Sequence, residues 1–408
     1  MNSKQQYDIA IIGAGMVGLS QALLLNRALP DKRIVVLEAR SIRQGDPSPS
    51  FDDRVTALAA GSIKLLNELG LWAELQSATQ DISHVKVSDR GHFGAINIAQ
   101  EQNAGSALGC TLSNRVLGKV LMQAVESCEH IDLHAPAAVK SVSFATDKVS
   151  VTYGSEQTEA TLTAALLLIA DGAESAIAKR LGISFESHDY QQRALIANVE
   201  HQRAHQGHAF ERFAEEGPLA LLPLAPIHGR QRSALVWTRK PNQADLLEQC
   251  SEAEFLAALQ KQFGWSLGRF CAVGERQSYK LQLINANEQW RSRLVLLGNA
   301  AHFLHPVAGQ GFNLALRDCE RLALVLAEQG GDLGALSGLN TYGQQRSNDQ
   351  WLTTALSHQA ISCFASSFVP MQLARNLALS SLNHVTALKS LFSSQMMGQA
   401  TNHKGLRI

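Results

Sequence analysis

The feature that most restricts this chain is a glycine turn set between a strand and a helix. The β-branched run Tyr7 to Ile12 breaks into Gly13-Ala14-Gly15-Met16-Val17-Gly18, and the apolar-periodic stretch Leu19 to Leu29 predicts a helix that Pro30 ends. Each glycine has its own reason. Gly13 permits a tight strand-to-helix turn, Gly15 lets the backbone approach a pyrophosphate closely, and Gly18 lets helix and strand pack together. The helix that follows would aim its unpaired amides and positive dipole end at the phosphates. Ile34 to Leu37 predicts a second buried strand, closing in Glu38, which lies 20 residues after Gly18 and suits a ribose hydroxyl. The alternative is an incidental glycine turn, but strand, helix and terminal acid together predict a dinucleotide-binding βαβ unit. The turn alone does not separate NAD from FAD.

The chain has 408 residues, more than one hydrophobic core usually supports, so two packed regions and an appendage are expected. Gln44 to Asp53 is a loop by composition, Val55 to Leu69 predicts a helix ended by Gly70, and Leu117 to Val125 predicts another. Short β segments run from Ile131 to Ile169. From Leu181 to Tyr279, alternating segments such as Arg193 to Val199 and Ser233 to Thr238 predict an antiparallel sheet, with a helix at Glu252 to Phe263. Arg293 to Leu297 returns to the buried-strand pattern, and a helix follows from about Gly311 to Ala327. The expected division is a discontinuous nucleotide domain (1–75, 105–180, 280–345), a sheet domain (76–104, 181–279) and a helical region (346–408). The tail from Tyr342 to Met397 reads as a helix pair packed on the body, or as an amphipathic surface touching a membrane or partner.

Lys plus Arg and Asp plus Glu balance at 36 each, which removes the electrostatic footprint of a nucleic-acid binder. The six cysteines have no C-x-x-C pair or zinc spacing, and reduced thiols in the cytosol fit them best. The strand-like run starts too close to Met1 to leave room for a signal peptide, and no stretch of about 18 apolar residues appears. His302 and His305 have no acid or cysteine at ligand spacing, so a structural role is expected and no metal.

Two later segments decide the cofactor. Leu168-Ile169-Ala170-Asp171-Gly172-Ala173-Glu174-Ser175 and Gly298-Asn299-Ala300-Ala301-His302-Phe303-Leu304-His305-Pro306 resemble the second and third motifs of the class A flavoprotein aromatic hydroxylases. The resemblance runs from residue 7 to about 350. It implies an α/β fold with a Rossmann-like FAD-binding domain of the para-hydroxybenzoate hydroxylase type, an antiparallel-sheet substrate domain and a helical C-terminal tail. Asp52-Asp53-Arg54-Val55-Thr56-Ala57-Leu58 is similar to a segment of the ubiquinone-biosynthesis branch. Val87 to His92, Ala209-Phe210-Glu211-Arg212-Phe213 and Gly217 to Pro223 look like the 2-polyprenyl-6-methoxyphenol hydroxylases, although sister enzymes acting at other ring carbons share several of these segments. Two positions depart from the wider family. Asn299 stands where an aspartate is usual and keeps an amide for a ribityl hydroxyl. Ala178 stands where many relatives have arginine, with Lys179 and Arg180 after it.

The resemblance implies FAD, with NADH or NADPH as electron donor and O₂ as co-substrate, hydroxylating an electron-rich phenol. It places Gly13, Gly15, Gly18, Glu38, Asp171, Gly172, Gly298 and Asn299 at the cofactor, and it places Arg54 and Arg115 nearby, a surface ion pair being the alternative for either arginine. Pro306, Gly309, Gln310 and Gly311 form a candidate flavin- and substrate-facing segment. With Phe312 and Asn313 they precede or open a helix whose amides can face the pyrimidine edge of an anionic reduced flavin. The implied substrate is a phenol with a polyprenyl tail, which requires an apolar groove. A cytoplasmic enzyme is expected, peripheral at the inner face of the membrane or assembled with other ubiquinone-biosynthesis proteins. Another flavoenzyme, such as a halogenase, would need a catalytic lysine motif that the chain lacks. A flavin-holding assembly protein without turnover is the alternative from a different class.

Overall fold

The computed structural model describes residues 5–42, 54–89, 95–99, 107–154, 158–213, 217–304 and 309–365. Its central layer is a six-stranded sheet in the order Trp290–Arg291, Leu294–Leu296, Leu166–Ile169, Ile9–Ile12, Ile34–Leu37, Ile131–His134. All neighbours are parallel except the first pair. The continuous apolar runs of these strands follow from burial on both faces. Ile9, Ile11, Ile34, Val36, Leu166, Leu168 and Val295 pack with the helices Met16–Ala28, Asn114–Glu126 and Gln310–Gln329. The alternate residues Ala10, Ile12, Val35, Leu37, Leu167, Ile169, Leu294 and Leu296 pack with a smaller layer containing Val149–Gly154 and Glu159–Ala164. Period-two side-chain alternation therefore divides one sheet between two cores.

A second, wider sheet runs His302–Phe303, Gln277–Ala286, Phe185–His201, Arg230–Arg239, Leu219–Ile227, His208–Phe213, His84–Asp89, Ala95–Ala99. The long strand Phe185–His201 pairs antiparallel with both Gln277–Ala286 and Arg230–Arg239. One face carries Leu195, Val199, Leu219, Leu221, Leu235 and Trp237 against Phe255, Leu259 and Phe263 of the helix Glu252–Phe263. That helix starts on a capping box between Ser251 and Glu254 and stops at Gly264, whose φ of 87° most other residues resist. Burying each large apolar side chain there contributes roughly 1.5–3 kcal/mol. The short strand His302–Phe303 pairs with Ile284 and Asn285, tying this sheet to the chain that leaves the central one.

Two expectations need correction. Val55 to Leu69 is not one helix: Val55–Ala59 is a strand paired antiparallel with Gly109–Ser113, and only Ala60–Glu68 is helical. β-branched Val55 and Thr56 suit a strand, and the partner that selects it lies some fifty residues away. The tail is helical as far as it is described, but the helix starts earlier than about Tyr342, spanning Leu336–Ala365. It is pinned to Gln310–Gln329 by buried ion pairs, Arg346 to Asp318 at 2.6 Å and Arg317 to Asp349 at 2.8 Å. The second helix of the expected pair falls outside the described residues, as does the Gln44 to Asp53 loop.

Candidate active site

Four neighbouring parallel strands deliver the sequence motifs to one edge of the central sheet. The glycine turn follows Ile9–Ile12, Asp171-Gly172 follows Leu166–Ile169, Gly298-Asn299 follows Leu294–Leu296, and Glu38 follows Ile34–Leu37. Ligands of open α/β sheets bind at this carboxyl edge. The turns pack closely enough to exclude side chains. A Cβ on Gly13 would lie 2.6 Å from the Ala170 carbonyl oxygen, and one on Gly298 would lie 2.8 Å from Val17 Cγ2. One on Gly18 would lie 1.9 Å from the Gly13 carbonyl oxygen. Glu38 closes the group: its Oε2 accepts from Ala14 N–H at 2.9 Å and its Oε1 from Arg40 N–H at 3.0 Å.

The helix Met16–Ala28 begins at Gly15 with no side-chain cap and no acid in its first turn. The helix Gln310–Gln329 begins likewise at Gly309, which is left-handed at φ 59°. Both termini leave amide donors for whatever fills the space before them. Both border a cleft of about 920 Å³ lined by Gly13, Gly15, Glu38, Arg54, Arg115, Asp171, Gly172, Asn299, Gly309, Gly311 and Phe312. Arg54 lies over the Tyr279 ring at 5.1 Å, and its carbonyl accepts from Asn114 N–H at 2.9 Å. Asp171 accepts from the Ser175 hydroxyl at 2.8 Å. Crowding by the surrounding protein pushes its carboxyl up and Glu38 adds to this, while the Ser175 bond opposes it.

Other predicted residues stand behind the cleft wall. Gly18 and Gly298 serve close packing, and Gln310 opens the helix after Gly309. Asn313 is buried, and its amide is fully used. It accepts from Ala59 N–H at 2.8 Å and Ser62 Oγ at 2.7 Å, and it donates to Ala57 O at 2.8 Å and Gly309 O at 2.9 Å. It therefore clamps the Val55–Ala59 strand to the helix start. Ala178 is fully buried in the second core, and the Ser175 hydroxyl accepts its N–H at 3.1 Å, capping the helix Ala176–Arg180. His302 is buried 3.2 Å from Asp318 and does not line the cleft. Pro306, His305, Asp52 and Asp53 lie outside the described residues.

The opposite side of the cleft was not foreseen residue by residue. It is the second face of the wide sheet, presenting Ile196, Asn198, Ala209, Glu211, Ala220, Leu222, Ala234 and Val236. The signal was present as alternation within Ala209 to Phe213 and Ser233 to Thr238, but which alternate set meets a helix and which meets a cleft depends on the pairing of distant strands.

The FAD binding domain family matches residues 6–357. Ubiquinone hydroxylase UbiL of Rhodospirillum rubrum is 35% identical over 96% of this chain and 89% of its own length. The 3-demethoxyubiquinol 3-hydroxylase of Escherichia coli is 27% identical over 95% of this chain and 97% of its own. The crystal structure of p-nitrophenol 4-monooxygenase PnpA from Pseudomonas putida superposes with a TM-score of 0.78 at 18% identity, covering 98% of this chain and all of that one, a likeness of fold. With the converging motifs, these matches make the chain a member of the FAD binding domain family and, within it, of the class A FAD-dependent hydroxylases of the ubiquinone-biosynthesis type.

Proposed function

We propose that this protein hydroxylates 2-polyprenyl-6-methoxyphenol to the corresponding 1,4-benzoquinol. The observation that carries the reading is one cleft joining two unlike surfaces, uncapped helix termini with the nucleotide motifs on one side and an apolar sheet face on the other. A dinucleotide fits the first and a prenylated ring fits the second.

In this reading the amides at Gly13 to Gly15 hold the pyrophosphate, and Glu38 receives a ribose hydroxyl. Asp171 and Asn299 bond the ribityl chain, and Arg54 and Arg115 lie along the cofactor. The amides from Gly309 to Phe312 would meet the flavin's pyrimidine edge, since the positive end of the 20-residue helix favours negative charge. FAD held there would supply the redox chemistry of hydride acceptance from NADH or NADPH and of oxygen transfer from O₂. The polypeptide holds the ring against the flavin and keeps water away.

No described helix is long and apolar enough to cross a membrane. Trp351, 70% exposed on the long C-terminal helix with Leu352 beside it, supports docking at a membrane surface where a polyprenyl substrate resides. Removal of the gene tests the ring position. Accumulation of 2-polyprenyl-6-methoxyphenol is expected, whereas accumulation of 2-polyprenylphenol or of a later demethoxy intermediate assigns a sister reaction instead. Purified holoprotein that oxidises NAD(P)H and never hydroxylates a phenol would make it a flavin-holding assembly protein.

A further inference from the structure

We propose that Glu211 receives the phenolic hydroxyl of the substrate, accepting its hydrogen bond and then its proton as the ring is attacked. The inference rests on the phenol-hydroxylase reading above. Glu211 sits in the strand His208–Phe213, whose residues alternate between the two sheet faces. Phe210 meets the Phe263 ring at 5.4 Å and Arg212 donates to the Phe263 carbonyl, so both point to the helix side. Ala209 and Glu211 consequently face the cleft.

The surroundings of Glu211 are unusual for a carboxylate. Its cross-strand partners are Ala220 and Val87, and beyond Ala220 the same row continues through Val236 and Ile196 to Gln277. The next row carries Val85, Ala209, Leu222, Ala234 and Asn198. Among the described residues, the charged groups that line the cleft on this side are Arg54, stacked on Tyr279, and Glu275, with Glu200 and Arg232 further along the same sheet face; Glu38, Arg40, Arg115 and Asp171 stand across the cleft. The Glu211 side chain has no hydrogen bond or ion pair among the described residues. Burial pushes its carboxyl up to about 7.

An unpartnered carboxylate on an aliphatic face is expensive to keep unless something completes it. Three alanines, Ala209, Ala220 and Ala234, leave space over this floor for a ring. A phenol lying there can offer its O–H to Glu211. The proton balance is simple. As one oxygen of O₂, reduced with the two electrons of NADH or NADPH, bonds to the ring carbon as hydroxyl, the O–O bond breaks; the phenolic O–H bond also breaks, its electron pair becomes a C=O bond, and the proton passes to the Glu211 carboxylate. The proton on the attacked carbon then leaves with the second oxygen, which departs as water; the C–H electron pair restores the aromatic ring, and Glu211 returns its proton to the phenolic oxygen. A group that titrates near the working pH suits both transfers.

The test uses FAD-loaded protein with a short-chain 2-prenyl-6-methoxyphenol and its methyl ether. Equilibrium binding, read from the flavin absorbance difference at pH 8, should favour the phenol by about tenfold or more in the wild type. Glu211→Leu, a side chain that suits the aliphatic floor, should bring the ratio near one, and the isosteric Glu211→Gln should fall between. In turnover, kcat/KM should rise with pH through a midpoint near 7. Glu211→Gln should lose that limb and fall about 100-fold or more, with FAD content and thermal midpoint as controls of folding. An unchanged phenol-to-ether ratio in Glu211→Leu, or a retained limb in Glu211→Gln, overturns the proposal. A wild type that hydroxylates a different phenol defeats the substrate assignment alone, and the same comparison is then made with that phenol.

Discussion

Replacing Gly18 by alanine adds one carbon at a point where the structure has no room for it. The new Cβ would start 1.9 Å from the Gly13 carbonyl oxygen, so the first turn of the helix must retreat by about 1.5 Å to reach ordinary contact. Alanine favours a helix interior over glycine by about 1 kcal/mol. Forced overpacking costs about 1–3 kcal/mol, so the net stability change is small and unfavourable. The larger effect falls on the ligand. A retreat of about 1.5 Å carries the amides after Gly15 out of hydrogen-bond reach of a pyrophosphate, and losing two charge-assisted bonds costs about 3 kcal/mol or more. Gly18→Ala should therefore bind FAD about 100-fold more weakly, with a fall of only a few degrees in melting temperature. Titration of apo-protein with FAD, followed by flavin fluorescence, reads the affinity, and circular dichroism reads the melting. Affinity within threefold of the wild type would refute the reasoning, because the steric clash would then not be transmitted to the phosphate site.

Four other outcomes follow from the packing. Burial alone would raise the Asp318 carboxyl, but Arg346 and His302 prevail and hold it at about 2. It therefore adds stability above its unfolded value near 3.8 that is lost as pH falls toward 2, so wild-type melting should drop across that window and Asp318→Asn should flatten the drop. Arg346→Met takes the guanidinium from buried Asp318, leaving it only His302, while Asp349 keeps Arg317, and should cost about 3–5 kcal/mol in a urea titration at neutral pH. Asn313→Asp sets an oxygen against the carbonyls of Ala57 and Gly309 and should cost about 3 kcal/mol by the same titration; near-neutral behaviour would mean the clamp does not hold. Phe255→Ala empties a fully buried site beside Trp237 and should cost about 3–5 kcal/mol, read as a shift in the urea midpoint at unchanged slope.

Much of the nucleotide end was legible from residue order because its chemistry is local. The strand, the three glycines, the helix and Glu38 stand at short fixed offsets, and each residue type answers a constraint imposed within one βαβ unit. The helix Glu252–Phe263 was legible for the same reason, since Ser251, Glu254 and Gly264 signal its ends within their own turns. Val55–Ala59 was misread because its five residues suit either state until Gly109–Ser113 comes alongside.

By itself, then, the sequence determined that a glycine turn, Asp171-Gly172 and Gly298-Asn299 would each end a buried strand and that a dinucleotide would be the ligand. Only the tertiary structure decided that these three turns meet at one sheet edge, that Asn313 is spent on clamping the wall, and that Glu211 faces the cleft while Arg212 faces the helix. The physical reason is that alternation assigns residues to two faces of a strand, but the chain's long-range pairing alone chooses which face meets a core and which meets the cleft.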